Sequence, residues 1–295
     1  MNVEIISAPS ILGLRHTGVE NLADSLLQAG LAEQLHAVVH DVPTRNDDYI
    51  AERDPQTQCL NPLLLKDFSL TLSKAVANAV HFPIVLGGDC SILLGIMPAL
   101  KVKGNYGLIF LDAHADFYEP VKSTTGEVAD MDLAIVTGRG PMLLTNINGL
   151  RPYVKDEHVV HLGQRDQEET EKYGSQNIRE TAIKCFSFAD IERKGIDEII
   201  TAVQQYIDTL TLDGYWIHFD TDVLSDNVNP AVDYRLPGGL SFEQATSIIQ
   251  RLLPANNIAG MSVTCFNPKL DADGSIAQGI TQCIVHAISG TNPLH

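Results

Sequence analysis

The chain is short of positive charge: 20 Lys and Arg stand against 37 Asp and Glu, a formal net charge of -17. That balance argues against nucleic acid and anionic membrane surfaces as partners. It says little about a small substrate, because a bound cation reverses the local field. Cysteine is also scarce. Cys59, Cys90, Cys185, Cys265 and Cys283 are odd in number and lack CxxC spacing. This speaks against a disulfide framework and fits reduced thiols in a cytoplasmic protein. No apolar run reaches the length of a transmembrane helix. Met1–Ile6 has no basic region and reads as a first strand rather than a signal peptide. Linker tracts, repeats and charge blocks are missing, so the chain of 295 residues, 44% hydrophobic, reads as a single domain over 1–295.

What is present is an alternation of strand-like and helix-like segments. Strands are expected at Val3–Ala8, Ala37–Val42, Pro83–Leu86, Tyr106–Leu111, His158–Leu162, Lys184–Ser187, Tyr215–Phe219 and Ile258–Phe266. Helical spacing marks Gly18–Ala29, Pro62–Val80, Ser91–Leu100, Gly195–Leu210 and Ser275–Ser289, and Ser241-Phe242-Glu243-Gln244 has the form of a helix start. Asn46–Asn61 and Tyr118–Asp130 read as irregular. The order predicts an α/β fold of three α/β/α layers around a mostly parallel central sheet. In such sheets ligands bind beyond the carboxyl ends of the strands.

Two acidic segments fall at those ends. Asp112-Ala113-His114-Ala115-Asp116 follows Gly107–Leu111, and Asp220-Thr221-Asp222 follows Tyr215–Phe219. In extended chain, side chains two apart point the same way, so Asp112, His114 and Asp116 converge, as do Asp220 and Asp222. Four carboxylates and an imidazole at buried strand ends repel one another unless a cation joins them. A pair of divalent ions is the economical explanation; the bland alternative is a set of acidic loop residues without metal.

These motifs carry a resemblance to the arginase/agmatinase (ureohydrolase) family over nearly the whole chain. Gly87-Gly88-Asp89-Cys90-Ser91 is similar to its Gly-Gly-Asp-His-Ser motif, Asp112–Asp116 to Asp-Ala-His-x-Asp, and Asp220–Leu224 to Asp-x-Asp-x-Leu. Gly18-Val19-Glu20 with Ala29-Gly30-Leu31, Pro237–Leu240 and Asn267-Pro268 stand where the family has further characteristic segments. The resemblance implies an arginase-like fold and a binuclear Mn²⁺ site, with Zn²⁺, Fe²⁺ or Ni²⁺ as other candidates. Asp112 and Asp220 would bridge the ions, His114 and Asp222 complete one, and Asp116 the other. Such a pair lowers the pKa of a bridging water and supplies hydroxide near neutral pH. Asp116 and His114 are the catalytic candidates. A homo-oligomer, trimer or hexamer, is likewise implied.

The chain also departs from the pattern. Cys90 stands where the family has a metal-binding His; a thiolate suits Zn²⁺ or Fe²⁺ better than Mn²⁺. Either it binds a softer ion, or one site is weak, or it is a small buried thiol. Ala129 takes the place of a proton-shuttling His, leaving Asp130 and Asp132 nearby as substitutes. Cys265 takes that of a guanidinium-binding Glu, whose loss removes a buried charge partner. Thr125 and Glu127 lie in the segment that resembles a substrate-carboxylate contact, and Glu168 near an amino-group contact. Arg235 either clamps a substrate carboxylate or pairs with Asp233 or Glu243. His218 reads as structural, at most supporting the metal ligands from behind. Together these imply a metal-dependent hydrolase of non-peptide C–N bonds in a small guanidino, amidine or linear amide compound, and not a simple arginase. The alternative is a catalytically silent relative that binds or assembles.

Overall fold

Apolar residues fill nearly every position of the central strands, the pattern of parallel strands covered on both faces. The structure, a computed structural model, describes residues 1–254 and 257–290. Its strands are β1 (Val3–Ala8), β2 (Val38–Asp41), β3 (Phe82–Gly87), β4 (Tyr106–Leu111), β5 (Val159–Leu162), β6 (Lys184–Phe186), β7 (Gly214–Asp220) and β8 (Ile258–Thr264). The helices are α1 (Leu22–Gln28), α2 (Leu31–Leu35), α3 (Pro62–Asn78), α4 (Leu93–Lys103), α5 (Asp132–Val136), α6 (Met142–Thr145), α7 (Gln167–Tyr173), α8 (Phe188–Lys194), α9 (Ile196–Ile207), α10 (Phe242–Leu252) and α11 (Ser275–Ser289).

The strands form one sheet in the order β2-β1-β3-β8-β7-β4-β5-β6, and every pairing is parallel. Period-two alternation sends successive residues to opposite cores. Leu108, Phe110 and Trp216 pack under α3 to α6, while Ile109, Leu111, Ile217 and Phe219 pack under α1 and α8 to α11. Burying one such side chain contributes about 1.5–3 kcal/mol. This is the three-layer α/β/α fold that the alternation predicts.

Local differences have local causes. The helix expected over Gly195–Leu210 runs from Ile196 to Ile207, and Gly195 at φ 81 separates it from α8. Both α8 and α10 open with a capping box, Ser187 with Asp190 and Ser241 with Gln244. Because all strands run the same way, their carboxyl ends share one edge. Gly88–Cys90 follows β3, Cys265 follows β8, Asp220 ends β7, and Asp112 follows β4.

Candidate metal centre and active site

Four adjacent strands, β3, β8, β7 and β4, deliver the chemistry. Cys90 reaches the centre through a tight turn. The Asp89 carboxylate accepts from the Ser91 N–H at 2.9 Å and from the Gly13 N–H at 3.1 Å. Gly88 passes so close to the Ser10 carbonyl that a Cβ there would lie 1.9 Å from its oxygen. Two donor groups result. Cys90, Asp112, His218 and Asp220 each place one ligand atom within 4.8 Å of the others, and Asp112, His114 and Asp222 do the same. Asp112 belongs to both.

Hydrogen bonds hold these side chains in place. Asp112 Oδ1 accepts from the His114 N–H at 2.6 Å, and its buried Oδ2 has no partner among the described residues. Asp222 accepts from the Ala113 N–H at 3.2 Å and lies 2.8 Å from His114 Nδ1. Asp220 Oδ1 accepts from the Asp222 N–H at 2.8 Å, and its Oδ2 accepts from the Cys90 thiol at 2.6 Å. Arg165 locks the turn after β7, donating to the carbonyls of Asp222, Val223 and Leu224 at 2.7, 2.9 and 3.2 Å.

The electrostatics are those of buried carboxylates crowded against one another. Burial, and then the charges of Asp222 and Asp220, push the Asp112 carboxyl well above the usual range. Burial raises Asp220 to about 7, with Asp222 adding to it. Burial alone would raise Asp222 also, yet His114, the Ala113 N–H and Arg165 outweigh it and hold Asp222 below its ordinary value. Carboxylates that raise one another in this way suit a bound positive ion.

A cavity of about 360 Å³ opens over the group. Of the expected site residues, Cys90, His114, Asp116, Asp220, Asp222, Thr125, Arg235 and Cys265 line it. Asp112 lies beneath, fully buried. Asp116 differs from its expected place: its carboxyl joins neither donor group and meets that of buried Asp132. The cause is its backbone, which turns left-handed at φ 47 and ends the strand-like alternation. Glu127 does not face substrate space. It is 1% exposed and accepts from the Arg15 N–H at 3.1 Å and the Tyr234 hydroxyl at 2.9 Å. Glu168 also points elsewhere; Asp166, Glu169 and Tyr173, spaced three and four apart, are the residues facing the cavity. Arg235 pairs with Asp226, Nη2 to Oδ2 at 3.0 Å, rather than with Asp233 or Glu243. Asp233 instead accepts from Asn267 Nδ2 at 2.8 Å.

The family model for the arginase family matches residues 1–289. The chain belongs to the arginase family. It is 32% identical over 286 residues to an arginase of Staphylococcus aureus (strain COL), covering 94% of this chain and 93% of that one. The crystal structure of arginase from Bacillus subtilis superposes with a TM-score of 0.86 at 26% identity over 100% of both chains. Native arginase from Bacillus caldovelox does so at 0.86, with 28% identity over 97% of both. The family's members are hydrolases of carbon–nitrogen bonds other than peptide bonds, and they depend on a pair of metal ions. The donor groups of this arginase-family chain fit such a requirement: the carboxylates converge, and Asp112 Oδ2 is buried without a partner among the described residues.

Two contributors are not legible as site residues from motifs alone. His218 sits inside an apolar run and reads as core, although it lies two residues before Asp220 on the same strand face. Arg165 acts through carbonyl contacts that no spacing announces.

Proposed function

We propose that the chain hydrolyses a C–N bond in a small guanidino, amidine or linear amide compound that is not free arginine. The convergence of two donor groups beneath one cavity supports the hydrolytic part of this reading. When bound, the ions supply Lewis acidity and lower the pKa of water. Cys90, Asp112, His114, Asp220 and Asp222 would hold them, with Mn²⁺, Zn²⁺, Fe²⁺ or Ni²⁺ as candidates. Asp116 accepts a hydrogen bond from the attacking water and so orients it. Asp130 lines the cavity, and burial raises its carboxyl to about 7, with Glu127 adding to it. The Thr125 hydroxyl donates to Asp130 Oδ2 at 3.1 Å. Asp130 therefore holds a proton near neutrality and delivers it to the departing amine, the task for which Ala129 has no group.

The wall favours a cationic substrate tail over an amino-acid carboxylate. Beyond the metal donors it presents Asp130, Asp166, Glu169 and Asp233 with Tyr118 and Tyr173. Its guanidinium, Arg235, is already engaged by Asp226. Cys265 supplies no negative charge of the kind a carboxylate there would offer; its hydrogen bond with Cys90 pulls the thiol down, but burial and the neighbouring Asp220 and Asp222 carboxylates outweigh it and hold the thiol well above the usual range. A cytoplasmic homo-oligomer, trimer or hexamer, completes the reading; among the described residues no helix is long and apolar enough to cross a membrane.

The test is release of urea or ammonia from a panel of guanidino, amidine and amide compounds, with each candidate ion in turn. Turnover of an amine-tailed compound in preference to its amino-acid counterpart is expected. Stoichiometric binding of metal and ligand without turnover by any ion would instead identify a silent, binding relative.

A further inference from the structure

The deeper donor group contains an imidazole that no motif assigns. His218 is fully buried on β7, two residues before Asp220 and therefore on the same face of the strand. Its Nε2 lies 3.3 Å from Cys90 Sγ, and Cys90 Sγ lies 2.6 Å from Asp220 Oδ2. The ring is fixed from both sides. It stacks on Phe110 with centroids 4.9 Å apart and planes 15° apart, and Nδ1 lies 2.8 Å from Ser262 Oγ. Trp216 Nε1–H donates to the same oxygen at 3.0 Å and anchors it. With Nδ1–H donating to Ser262, the Nε2 lone pair faces the thiol and the carboxylates. That is the orienting hydrogen bond found behind metal-bound histidines. Asp112, whose buried Oδ2 has no hydrogen-bond partner among the described residues, belongs to the same group.

We infer that His218 is a metal ligand, and that Cys90, His218, Asp220 and Asp112 form a mixed sulfur, nitrogen and oxygen site selecting a Zn²⁺- or Fe²⁺-class ion over Mn²⁺. The two donor groups then differ in kind. The outer one, Asp112, His114 and Asp222, is oxygen-rich and suits a hard ion; the inner one carries a thiolate and suits a softer ion. Loading converts the Cys90 S–H···Oδ2 contact with Asp220 into two metal bonds and releases the thiol proton to solvent. This assignment rests on the metal-dependent reading above, but its test does not depend on turnover.

The full chain, kept reduced and loaded with one equivalent of Zn²⁺, is examined by X-ray absorption. A sulfur shell at about 2.3 Å and an imidazole shell at about 2.0 Å are expected. Replacing Zn²⁺ by Co²⁺ gives a near-ultraviolet sulfur-to-metal band that Cys90→Ser abolishes and His114→Asn retains. His218→Asn weakens Zn²⁺ binding by about a hundredfold or more and alters the Co²⁺ visible spectrum. Circular dichroism of the metal-free variants shows whether they fold, and the wild-type spectra stand without them. Absence of the sulfur shell, or an unchanged spectrum in folded His218→Asn, overturns the assignment. Turnover with Mn²⁺ alone and no sulfur shell overturns it while the hydrolase reading stands; both shells without turnover do the reverse.

Discussion

Asp130 is a cavity carboxyl outside the two donor groups that is raised to about 7, where it changes charge near neutral pH. As a proton donor it works in its protonated form, so its contribution falls as pH rises through about 7. Asp130→Asn should lower kcat by about a hundredfold, change KM less, and remove that inflection from the rate profile; an unaltered profile would exclude the role. At this scale, legibility follows side-chain direction. Asp112, His114, Asp220 and Asp222 were readable from their acidic motifs at strand ends, although Asp222 sits in a 3-10 turn, Thr221–Val223, that Asp220 caps, and not in extended chain. His218 lies on the same strand as Asp220, but an imidazole within an apolar run reads equally well as core. Glu127 and Arg235 sit in irregular chain, where no period dictates direction, and their partners Tyr234 and Asp226 decide it. Cys265 is a middle case, its φ of 63 turning the thiol into the cavity immediately after β8.

Among elements, the turn after β3 and the start of α8 are the informative tests. In Gly88→Ala the new methyl would meet the Ser10 carbonyl at 1.9 Å, so the turn must move and carry Cys90 with it. A loss of about 3 kcal/mol in urea unfolding is expected, together with weakened metal binding by titration calorimetry. The capping box gives a pH-dependent case. Burial pushes Asp190 up, but the Ser187 hydroxyl and N–H and the Arg193 guanidinium outweigh it and leave the carboxyl below its ordinary value. A depressed carboxylate stabilises the fold above its unfolded pKa of about 4, and that contribution is lost as pH falls through the folded value. Ser187→Ala should therefore cost about 1 kcal/mol near neutrality and less at the acid edge of stability. The central strands were legible as continuous apolar runs, and the long helices because each repeats its period several times. Helices α2 and α5 to α8 contain from four to seven residues, too few for a 3.6-residue period to separate from chance.

For the whole molecule, the parallel sheet gathers buried carboxylates at one edge, and their mutual repulsion burdens the metal-free state. An ion at a hundred times its dissociation constant stabilises a folded protein by about 2.7 kcal/mol. Chelation should thus lower the melting temperature by about 5 °C or more, read by scanning calorimetry; an unchanged transition would show that the carboxylates need no cation. The strand order carries a second consequence, in time rather than in energy. β8 is the last strand among the described residues, yet it lies between β3 and β7. Until Ile258–Thr264 has been made, β3 and β7 have no strand between them to bring them into register. The inner pocket therefore comes into being only after synthesis has passed Thr264.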